Sequence, residues 1–352
     1  MTKAAELAKM GEVLTNSQIG KKNIIINGAM QISQRATSAT GLGASNGYFT
    51  LDRFSIALGS GDGRFTMSQS SVTDLEGFSN ALKIQCTTAD TSIAAGEAIL
   101  LVQSIEGFNL QQLKATSTST RAFTLSFYAK SNASRAIVSE AIFSNGTNRQ
   151  ISKLHTIGTS WARYTMTVPA ASSTQIDNDN SDEMQINFWI HGGSTYTGGT
   201  LNDDALDSIT NANRAVGIGS IFASTDNTLE ITGIQLEVGS QATPFEHRSF
   251  GEELALCQRY YQDPQLSSSN YLWLNPITTD STGGYRRASF KLPTAMRADP
   301  TVTVTGATNG TFSGSYPAPE GNDFRHYVGF VGDTSAESKY AYIDSLKLDA
   351  EL

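Results

Sequence analysis

An acidic stretch between two predicted strands holds the densest group of possible metal ligands. Within "DNDNSDEMQ", the four carboxylates are Asp177, Asp179, Asp182 and Glu183. Hard oxygen ligands at such spacing could hold a calcium ion, although the glycine and glutamate positions of an EF-hand are lacking. A solvated polar loop without an ion is the favoured alternative. No cofactor is therefore predicted, and these four residues are a weak calcium candidate.

Aromatic and arginine residues toward the C-terminal end form a second group with binding chemistry. Two stretches, "NYLWLNP" and "GGYRRAS", supply Tyr271, Trp273, Tyr285, Arg286 and Arg287. Aromatic rings can stack on the apolar face of a sugar, and arginine can donate to its hydroxyls or to an anionic glycan. These five residues are the predicted glycan-binding site. Structural packing at a seam between sister chains explains them nearly as well.

Residues typical of catalytic centres are scattered along the chain. The four histidines lie far apart, and no H-E-x-x-H, G-x-S-x-G, P-loop or zinc-type cysteine spacing occurs. The Gly-rich "GSGDGR" at 59–64 lies between strands and is interpreted as a hairpin loop rather than a phosphate cradle. The sequence does not exclude glycan hydrolysis by a pair of carboxylates, because the distance between two carboxylates depends on the three-dimensional fold. The chain is predicted not to be an enzyme.

Composition narrows the class of partner. Charged residues make up 16 % of the 352 residues. Most of the polar residues are instead Ser, Thr, Asn and Gln, accompanied by 31 Gly, and such a composition is typical of β-sheet assemblies. The formal charge of −8 argues against a nucleic-acid or anionic-membrane partner. Cys86 and Cys257 lie in apolar patterns and are predicted to be buried thiols. Without a signal-peptide pattern or a run of about eighteen apolar residues, we expect synthesis in a cytoplasm and no membrane insertion.

Period-two alternation predicts the elements that must position these groups. It is clearest in "FTLSFYAKS", "RYTMTV" and "MQINFWIHG", where every second residue is apolar. Many such short strands, separated by Gly, Asn and Ser turns, predict an all-β fold: an antiparallel β-sandwich, or jelly roll, over residues 23–248. Trp189 falls on the face opposite the core residues of its strand, where we expect it to cover a chain interface or to stack on a sugar. A change of apolar phase predicts a β-bulge at Gly233.

A capped helix follows this sandwich. Ser249 lies three residues before Glu252, which matches a capping box, so a junction helix is predicted over 249–262. Its apolar residues recur at spacings of four, three and four and form one stripe, which either packs on the chain's own body or meets sister chains. We predict an oligomer interface formed by Phe250, Leu254, Cys257 and Tyr261.

Two further segments complete the predicted domain organisation. A helical stripe over residues 1–22 predicts an amphipathic attachment helix, too short to be stable alone in water. This helix could dock on the body of its own chain, on sister chains or on a larger partner. Short strand patterns interrupted by proline over residues 263–352 predict a small C-terminal β domain.

Several segments together resemble a virion protein family of tailed bacteriophages, and the resemblance covers about residues 1–262. The segments are "NIIINGAMQISQRA" at 23–36, "YFTLDRF" at 48–54, "QSIEGFNLQQLK" leading to "RAFTLSFYAKS" at 103–131, "SWARYTMTVP" at 160–169 and "GIQLEVGSQATPFEHRSFGEELALCQRYY" at 233–261. Members of this family look like tail-fibre or tail-associated proteins built on a jelly roll similar to carbohydrate-binding modules. The stretch "SFKLPTAMRADPTVTV" at 289–304 is similar to the ends of phage fibres, where small trimeric domains resembling H-type lectins occur.

The resemblance implies a structural protein located in the virion that contributes to recognition of a host-surface glycan. The expected assembly is a homo-oligomer, a trimer, with residues 1–20 bound to other virion proteins. A protein that decorates or joins parts of the particle without binding a receptor is the alternative. A glycan-cleaving tail spike is a more remote one.

Overall fold

A computed structural model describes residues 21–146, 148–264, 272–274, 286–305, 327–332, 341–343 and 345–352. The contacts divide the chain into two compact units, with the boundary between Phe250 and Gly251 and with Leu352 belonging to the first unit. Residues 1–20 of the helix predicted over 1–22 lie outside the described residues, as do Tyr271 and Tyr285 of the predicted glycan site.

The first unit is an antiparallel β-sandwich, as predicted. Its strands are β1 (Ser38–Leu42), β2 (Gly47–Tyr48), β3 (Ser55–Leu58), β4 (Arg64–Ser71), β5 (Asn80–Thr88), β6 (Ala98–Glu106), β7 (Lys114–Thr116), β8 (Ser119–Thr120), β9 (Phe123–Ser131), β10 (Arg135–Phe143), β11 (Arg149–Ile157), β12 (Ala162–Val168), β13 (Ala171–Ser172), β14 (Asp182–Gly192), β15 (Asp207–Ser208) and β16 (Thr228–Val238). One sheet has the strand order β1-β4-β5-β16-β9-β12, and the other has the order β15-β11-β10-β14-β6-β3-β2. A small third sheet has the order β13-β8-β7.

Apolar side chains from the inner faces of both large sheets form one core. The alternation predicted for β9 and β14 is confirmed: Phe123, Leu125, Phe127, Ala129, Met184, Ile186, Phe188 and Ile190 are all buried in this core. Phe127 on one sheet packs edge-to-face on Phe188 of the other, with 4.9 Å between the ring centroids. Each such side chain contributes about 1.5–3 kcal/mol when it is removed from water, so this core is the main source of stability.

The predicted β-bulge at Gly233 is confirmed by the strand register. The pairing of β16 with β9 shifts between Thr232 and Gln235, and Gly233 has a φ of +60°. A β-carbon there would lie 2.7 Å from the Phe78 ring and 2.8 Å from the Tyr128 ring. Only glycine therefore fits, and the extra residue keeps apolar side chains directed at the core on both sides of the bulge.

Within the ranges that the structure describes, the helices are few and short. They are α1 (Gly107–Leu110), α2 (Ser194–Thr197) and α3 (Phe250–Gln258), with 3-10 turns at Asn211–Asn213 and Ile221–Ala223. Among the residues that the structure describes, no helix is long and apolar enough to cross a membrane.

The second unit pairs its strands in small antiparallel sheets. The strands are β17 (Tyr261–Gln262), β18 (Leu272–Leu274), β19 (Arg286–Lys291), β20 (Thr301–Thr305), β21 (Tyr327–Gly332), β22 (Ala341–Ile343) and β23 (Ser345–Asp349). Their pairings are β17-β23-β20, β18-β22 and β19-β21. Apolar side chains buried in this unit include Leu346 and Leu348 of β23 together with Leu292 and Met296.

Helix α3 begins at Phe250, directly after the predicted cap Ser249, but it ends earlier than predicted. Tyr261 lies on strand β17, because the chain turns after Cys257 and the amide of Ala350 donates to the carbonyl of Tyr260. Of the predicted interface residues, Cys257 and Tyr261 are buried within the single chain. Leu254 is half-buried and Phe250 is 60 % exposed, so these two residues supply the surface of the predicted stripe.

Both cysteines are buried thiols, as predicted, and neither forms a disulfide. Burial raises the pKa of Cys86 above its ordinary value. Since the thiolate is the reactive form, this thiol is poorly suited to nucleophilic chemistry.

His155 on β11 is held neutral inside the sandwich. Its side chain forms a 2.8 Å hydrogen bond between Nε2 and the Ser139 hydroxyl, and its ring packs edge-to-face on Phe127. Burial, with a smaller contribution from Lys153, lowers the pKa of His155 to about 4. The charged imidazolium is therefore disfavoured in the folded protein.

The pH dependence of folding should report this histidine. The pKa of about 4 in the fold lies below the ordinary value of 6.5, so the unfolded chain binds the proton more tightly between these values. The stabilisation is complete above about pH 6.5 and is lost as the pH falls toward 4. We expect His155→Gln to remove about 2–3 kcal/mol from the difference in unfolding free energy between about pH 7 and pH 4.5, measured with urea. His247→Gln, at an exposed site, is the matched control, and equal pH dependence in wild type and His155→Gln would contradict the prediction.

Candidate functional site: a polar pocket beside a covered sheet face

The seven-stranded sheet buries both of its faces. Its inner face meets the main core, and its outer face carries a second apolar cluster centred on Trp189, which is 1 % exposed. Residues 193–219, which we call the covering segment, fold back over this face directly after β14. Tyr196 of the covering segment packs on Trp189 with 5.0 Å between the ring centroids. Trp189 thus faces away from the main core, as expected, but its own chain covers it instead of a sister chain or a sugar.

A buried carboxylate fixes the covering segment to the sheet. Glu140 on β10 is fully buried, and Arg214 of the covering segment donates to both of its oxygens, at 2.8 Å and 2.9 Å. Trp189 Nε1 and Asn187 Nδ2 also donate to Glu140 Oε2, at 2.9 Å and 3.0 Å. The Arg214 guanidinium lies 4.8 Å from the centre of the Trp189 ring, which adds a cation–π contact. We call this arrangement the Glu140 clamp.

A pocket of about 360 Å³ opens between the covering segment and the edge of the seven-stranded sheet. Its walls come from β11, β15 and the covering segment. The lining residues are Gln150, Thr200, Leu201, Asn202, Asp207, Ser208, Thr210 and Asn213. Amides, hydroxyls and one carboxylate therefore dominate the walls, and these groups can both donate to and accept from a hydroxyl-rich ligand.

Hydrogen bonds hold the polar walls of this pocket in place. Asn202 Nδ2 donates to the Gln150 carbonyl at 2.7 Å, and the Thr200 amide donates to Asn213 Oδ1 at 3.0 Å. The Asn202 amide donates in turn to the carbonyl of Asn213. The pocket is therefore preformed, which lowers the entropy lost when a ligand binds.

Gln150 is the polar group of the pocket with unused hydrogen-bonding capacity. The residue is fully buried, its Oε1 accepts from the Ser152 hydroxyl at 3.1 Å, and its Nε2 has no partner among the described residues. If the side-chain nitrogen and oxygen of Gln150 exchange places, the oxygen lacks a partner instead of the nitrogen. A buried amide without a partner costs about 1–3 kcal/mol, so this residue lowers the stability of the pocket wall.

The acidic stretch predicted as a weak calcium candidate is partly brought together. Carboxylate oxygens of Asp177, Asp179 and Glu183 lie within 4.8 Å of one another. Asp182 is not part of this group, since its Oδ2 accepts from the Ser104 hydroxyl and from Gln185 Nε2. The register of β14 on β6 shifts between Asp182 and Met184, and the hydrogen bonds of Asp182 hold its side chain away from the cluster.

The chain itself donates hydrogen bonds to these carboxylates. Glu183 accepts from the Asp177 amide at 2.7 Å and from Asn145 Nδ2 at 3.0 Å. Burial raises the pKa of Glu183 despite the hydrogen bond from the Asp177 amide, and the charge on Asp179 acts in the same direction as burial. Hydrogen bonds from Asn145 and then Gln175 lower the pKa of Asp177. This cluster closes its loop through protein hydrogen bonds, and calcium binding stays a prediction.

The predicted glycan site in the second unit falls on separate strands. Trp273 lies on β18, opposite Tyr342 of β22, whereas Arg286 and Arg287 lie on β19, opposite Gly332 and Val331 of β21. The two strand pairs belong to different sheets. Their role in glycan binding stays a prediction.

Sequence reasoning missed both the Glu140 clamp and the pocket. One signal was present for each: Glu140 is the lone acidic residue in the apolar strand "AIVSEAIF", and "TGGTLNDDALDSITNANR" at 197–214 is an unusually polar stretch. Neither signal shows which partner it meets, because residues 140, 150 and 214 come together only through the fold.

Matches to known proteins are limited to solved structures of low similarity. No family model and no curated protein matches the chain. Solved structures to which it is similar include a CBM4 module, with 13 % identity, 60 % of this chain and 98 % of that chain covered and a TM-score of 0.29. Two others are TmCBM61 in complex with β-1,4-galactotriose (9 % identity, 62 % and 100 % covered, TM-score 0.29) and the CBM22-1 xylan-binding domain from Paenibacillus barcinonensis (8 % identity, 62 % and 96 % covered, TM-score 0.29). Structures of such low similarity give no argument for a shared ligand. The fold and the site define an all-β sandwich protein with a polar pocket at one sheet edge.

Removing the acceptor of the Glu140 clamp should destabilise the protein strongly. Glu140→Ala leaves Arg214 without its partner and leaves Trp189 and Asn187 without an acceptor. We expect a loss of about 3–5 kcal/mol in unfolding free energy, measured by urea denaturation. Replacing both Glu140 and Arg214 by leucine should recover part of that loss.

The matched control is Asp203→Ala in the covering segment. Asp203 Oδ2 lies 3.7 Å from Lys153 Nζ, and both side chains are about half exposed. Loss of the Asp203 carboxylate should therefore lower the unfolding free energy by no more than about 1 kcal/mol. A similar small cost for Glu140→Ala would show that the clamp is not needed for stability.

Proposed function

We propose that this chain is a structural protein of a tailed-phage virion, of the tail-fibre or tail-associated type, that binds a host-surface glycan without cleaving it. The resemblance of its segments over residues 1–262 supports the virion role. The polar pocket beside the covering segment, with the exposed carboxylate of Asp207 in its lining, is the observation that supports glycan binding.

The charges around the pocket favour a neutral glycan. Asp207 is its charged lining residue, and Asp203 and Asp204 are exposed in the same stretch of chain. An anionic sugar would meet negative charge there without a lining Lys or Arg to offset it. Neutral hydroxyls can instead donate to Asp207, and a hydrogen bond to a charged group is among the stronger ones.

The lining contains no aromatic ring, so one pocket on its own should bind weakly. Several copies held in one oligomer would raise the overall affinity, since each further contact becomes intramolecular once the first has formed. The proposed trimer therefore fits the proposed binding mode. Residues 1–20 are proposed to attach the chain to other virion proteins, and deletion of that segment should abolish incorporation into particles while the β-sandwich stays folded.

Glycan binding can be tested on an array of purified bacterial surface polysaccharides, followed by titration of each bound glycan against variants. Asp207→Ala should lower the affinity about 10–100-fold, the loss expected for one charged hydrogen bond. Asp203→Ala is the control: it removes a carboxylate from the same segment but outside the pocket lining.

Each outcome of this experiment separates one interpretation from the others. If Asp207→Ala binds like the wild type whereas Trp273→Ala loses binding, the glycan site lies in the second unit, as the sequence first predicted. If the wild type binds no polysaccharide, the role is that of a non-binding decoration or joining protein. Release of new reducing ends from a polysaccharide would identify a glycan-cleaving spike.

The oligomeric state can be tested through the exposed end of α3. Light scattering at micromolar concentration should give about three times 37.7 kDa, and Phe250→Ser should lower that mass because it removes an exposed apolar contact. Phe108→Ser is the control, since Phe108 is 46 % exposed and Phe250 is 60 % exposed. A wild-type mass near 37.7 kDa would contradict the trimer.

A further inference from the structure

A buried group of three titratable side chains lies apart from the pocket and has no part in the proposed function. Asp90 follows β5, Glu97 directly precedes β6, and His191 lies near the end of β14. One ligand atom from each residue lies within 4.8 Å of the other two. The side chains are buried, with 7 %, 5 % and 0 % of the residue exposed, respectively.

The two carboxylates of this group lie close together. Their ligand oxygens are within 4.8 Å of each other, and two ionised carboxylates at such a distance repel each other unless a proton or a cation offsets their charge. Among the described residues, His191 is the basic side chain paired with Glu97, with 2.9 Å between Nε2 and Oε2. A buried site with two acidic groups and one imidazole therefore requires a further positive charge, unless it takes up protons.

The outer hydrogen bonds orient all three side chains toward one another. His191 Nδ1 lies 2.7 Å from the Ser220 hydroxyl, which leaves Nε2 directed at the carboxylates. Glu97 Oε1 accepts from the Ala94 amide at 2.9 Å. The Asp90 oxygens accept from the Ser92 amide at 3.1 Å and from the Asp62 amide at 3.2 Å. Metal sites in proteins have this organisation, in which hydrogen bonds from outside fix the orientation of each ligand.

We propose that Asp90, Glu97 and His191 bind a divalent transition-metal ion, with Zn²⁺ as the best match. One imidazole nitrogen and two carboxylate oxygens are ordinary zinc ligands, whereas Ca²⁺ and Mg²⁺ prefer oxygen ligands throughout. A doubly charged ion would neutralise both carboxylates while the imidazole stays neutral. A water molecule can complete a four-coordinate site.

The ion would have a structural role, because the ligands come from distant parts of the chain. It would join the connection before β6 to β14, and through the Asp62 amide and the Ser220 hydroxyl it would also fix two neighbouring turns. The Phe222 ring covers His191, with 5.1 Å between the ring centroids. Burial of this kind is typical of a site that holds loops together rather than one that admits a substrate.

Metal binding can be measured on the full chain after treatment with EDTA. ZnCl₂ should bind with one equivalent per chain and raise the melting temperature as its concentration rises, since an ion that binds only the folded state stabilises it. CoCl₂ should give the visible absorption of a low-symmetry site with nitrogen and oxygen ligands. CaCl₂ added at the same concentrations should leave that Co²⁺ absorption unchanged, because Ca²⁺ prefers oxygen ligands throughout.

Variants identify the ligands. His191→Gln and Glu97→Gln should each lower the affinity for Zn²⁺ by at least about 100-fold, beyond the effect usual for outer-shell changes. Glu183→Gln in the other acidic cluster and His247→Gln at an exposed position are the controls and should bind Zn²⁺ like the wild type. Absence of a one-equivalent site in the wild type, or equal Zn²⁺ affinity in His191→Gln and Glu97→Gln, would overturn the proposal.

A second measurement does not depend on the folding of these variants. Wild-type crystals grown with ZnCl₂ should give an anomalous difference peak at the zinc edge between Asp90, Glu97 and His191. A peak at another position only, or no peak, would equally overturn the proposal. The result is independent of glycan binding, because none of the three residues lines the pocket.

Discussion

The burial of Glu140 is the constraint on which the outer side of the sandwich depends. A carboxylate without water must be matched by donors, because an unpaired buried charge is strongly unfavourable. Arg214, Trp189 and Asn187 supply those donors, and Arg214 lies in the covering segment. That segment also supplies most of the pocket wall. The position of the pocket therefore follows from one ion pair at the centre of the sheet face.

Local patterns predicted the features that depend on neighbouring residues. Alternation over β9 and β14 gave the core, a change of phase gave the bulge at Gly233, and the capping box gave the first residue of α3. In each case the determining interaction lies within a few residues, or between side chains on one face of a strand. The all-β sandwich could be predicted for the same reason.

The candidate site could not be predicted in this way, because its contacts join distant parts of the chain. Alternation correctly placed Trp189 away from the main core, but it carries no information on what covers that face. Tyr261 continued the helical spacing of α3, yet pairing with β23 moved it onto a strand. The acidic stretch was treated as one cluster, although the strand register shifts at this point and Asp182 bonds to Ser104 and Gln185 instead. The pocket needs β11, β15 and residues 200–213 together, and no single segment contains enough of it to give a pattern.

A repeated device links these observations: a buried glutamate on or beside a strand accepts donors from a connecting segment. Glu140 fixes the covering segment, Glu183 accepts from the Asp177 amide, and Glu97 accepts from the Ala94 amide. On β16, Glu237 accepts from the Thr243 amide at 2.9 Å and so fixes the chain that leaves the sandwich. A sheet satisfies its own backbone groups, but connections between strands leave amides and side chains that need acceptors. In a chain with few charges, an isolated glutamate within an apolar strand pattern thus marks the point at which a connection is attached, and Glu140 is the case in which that attachment also forms a pocket.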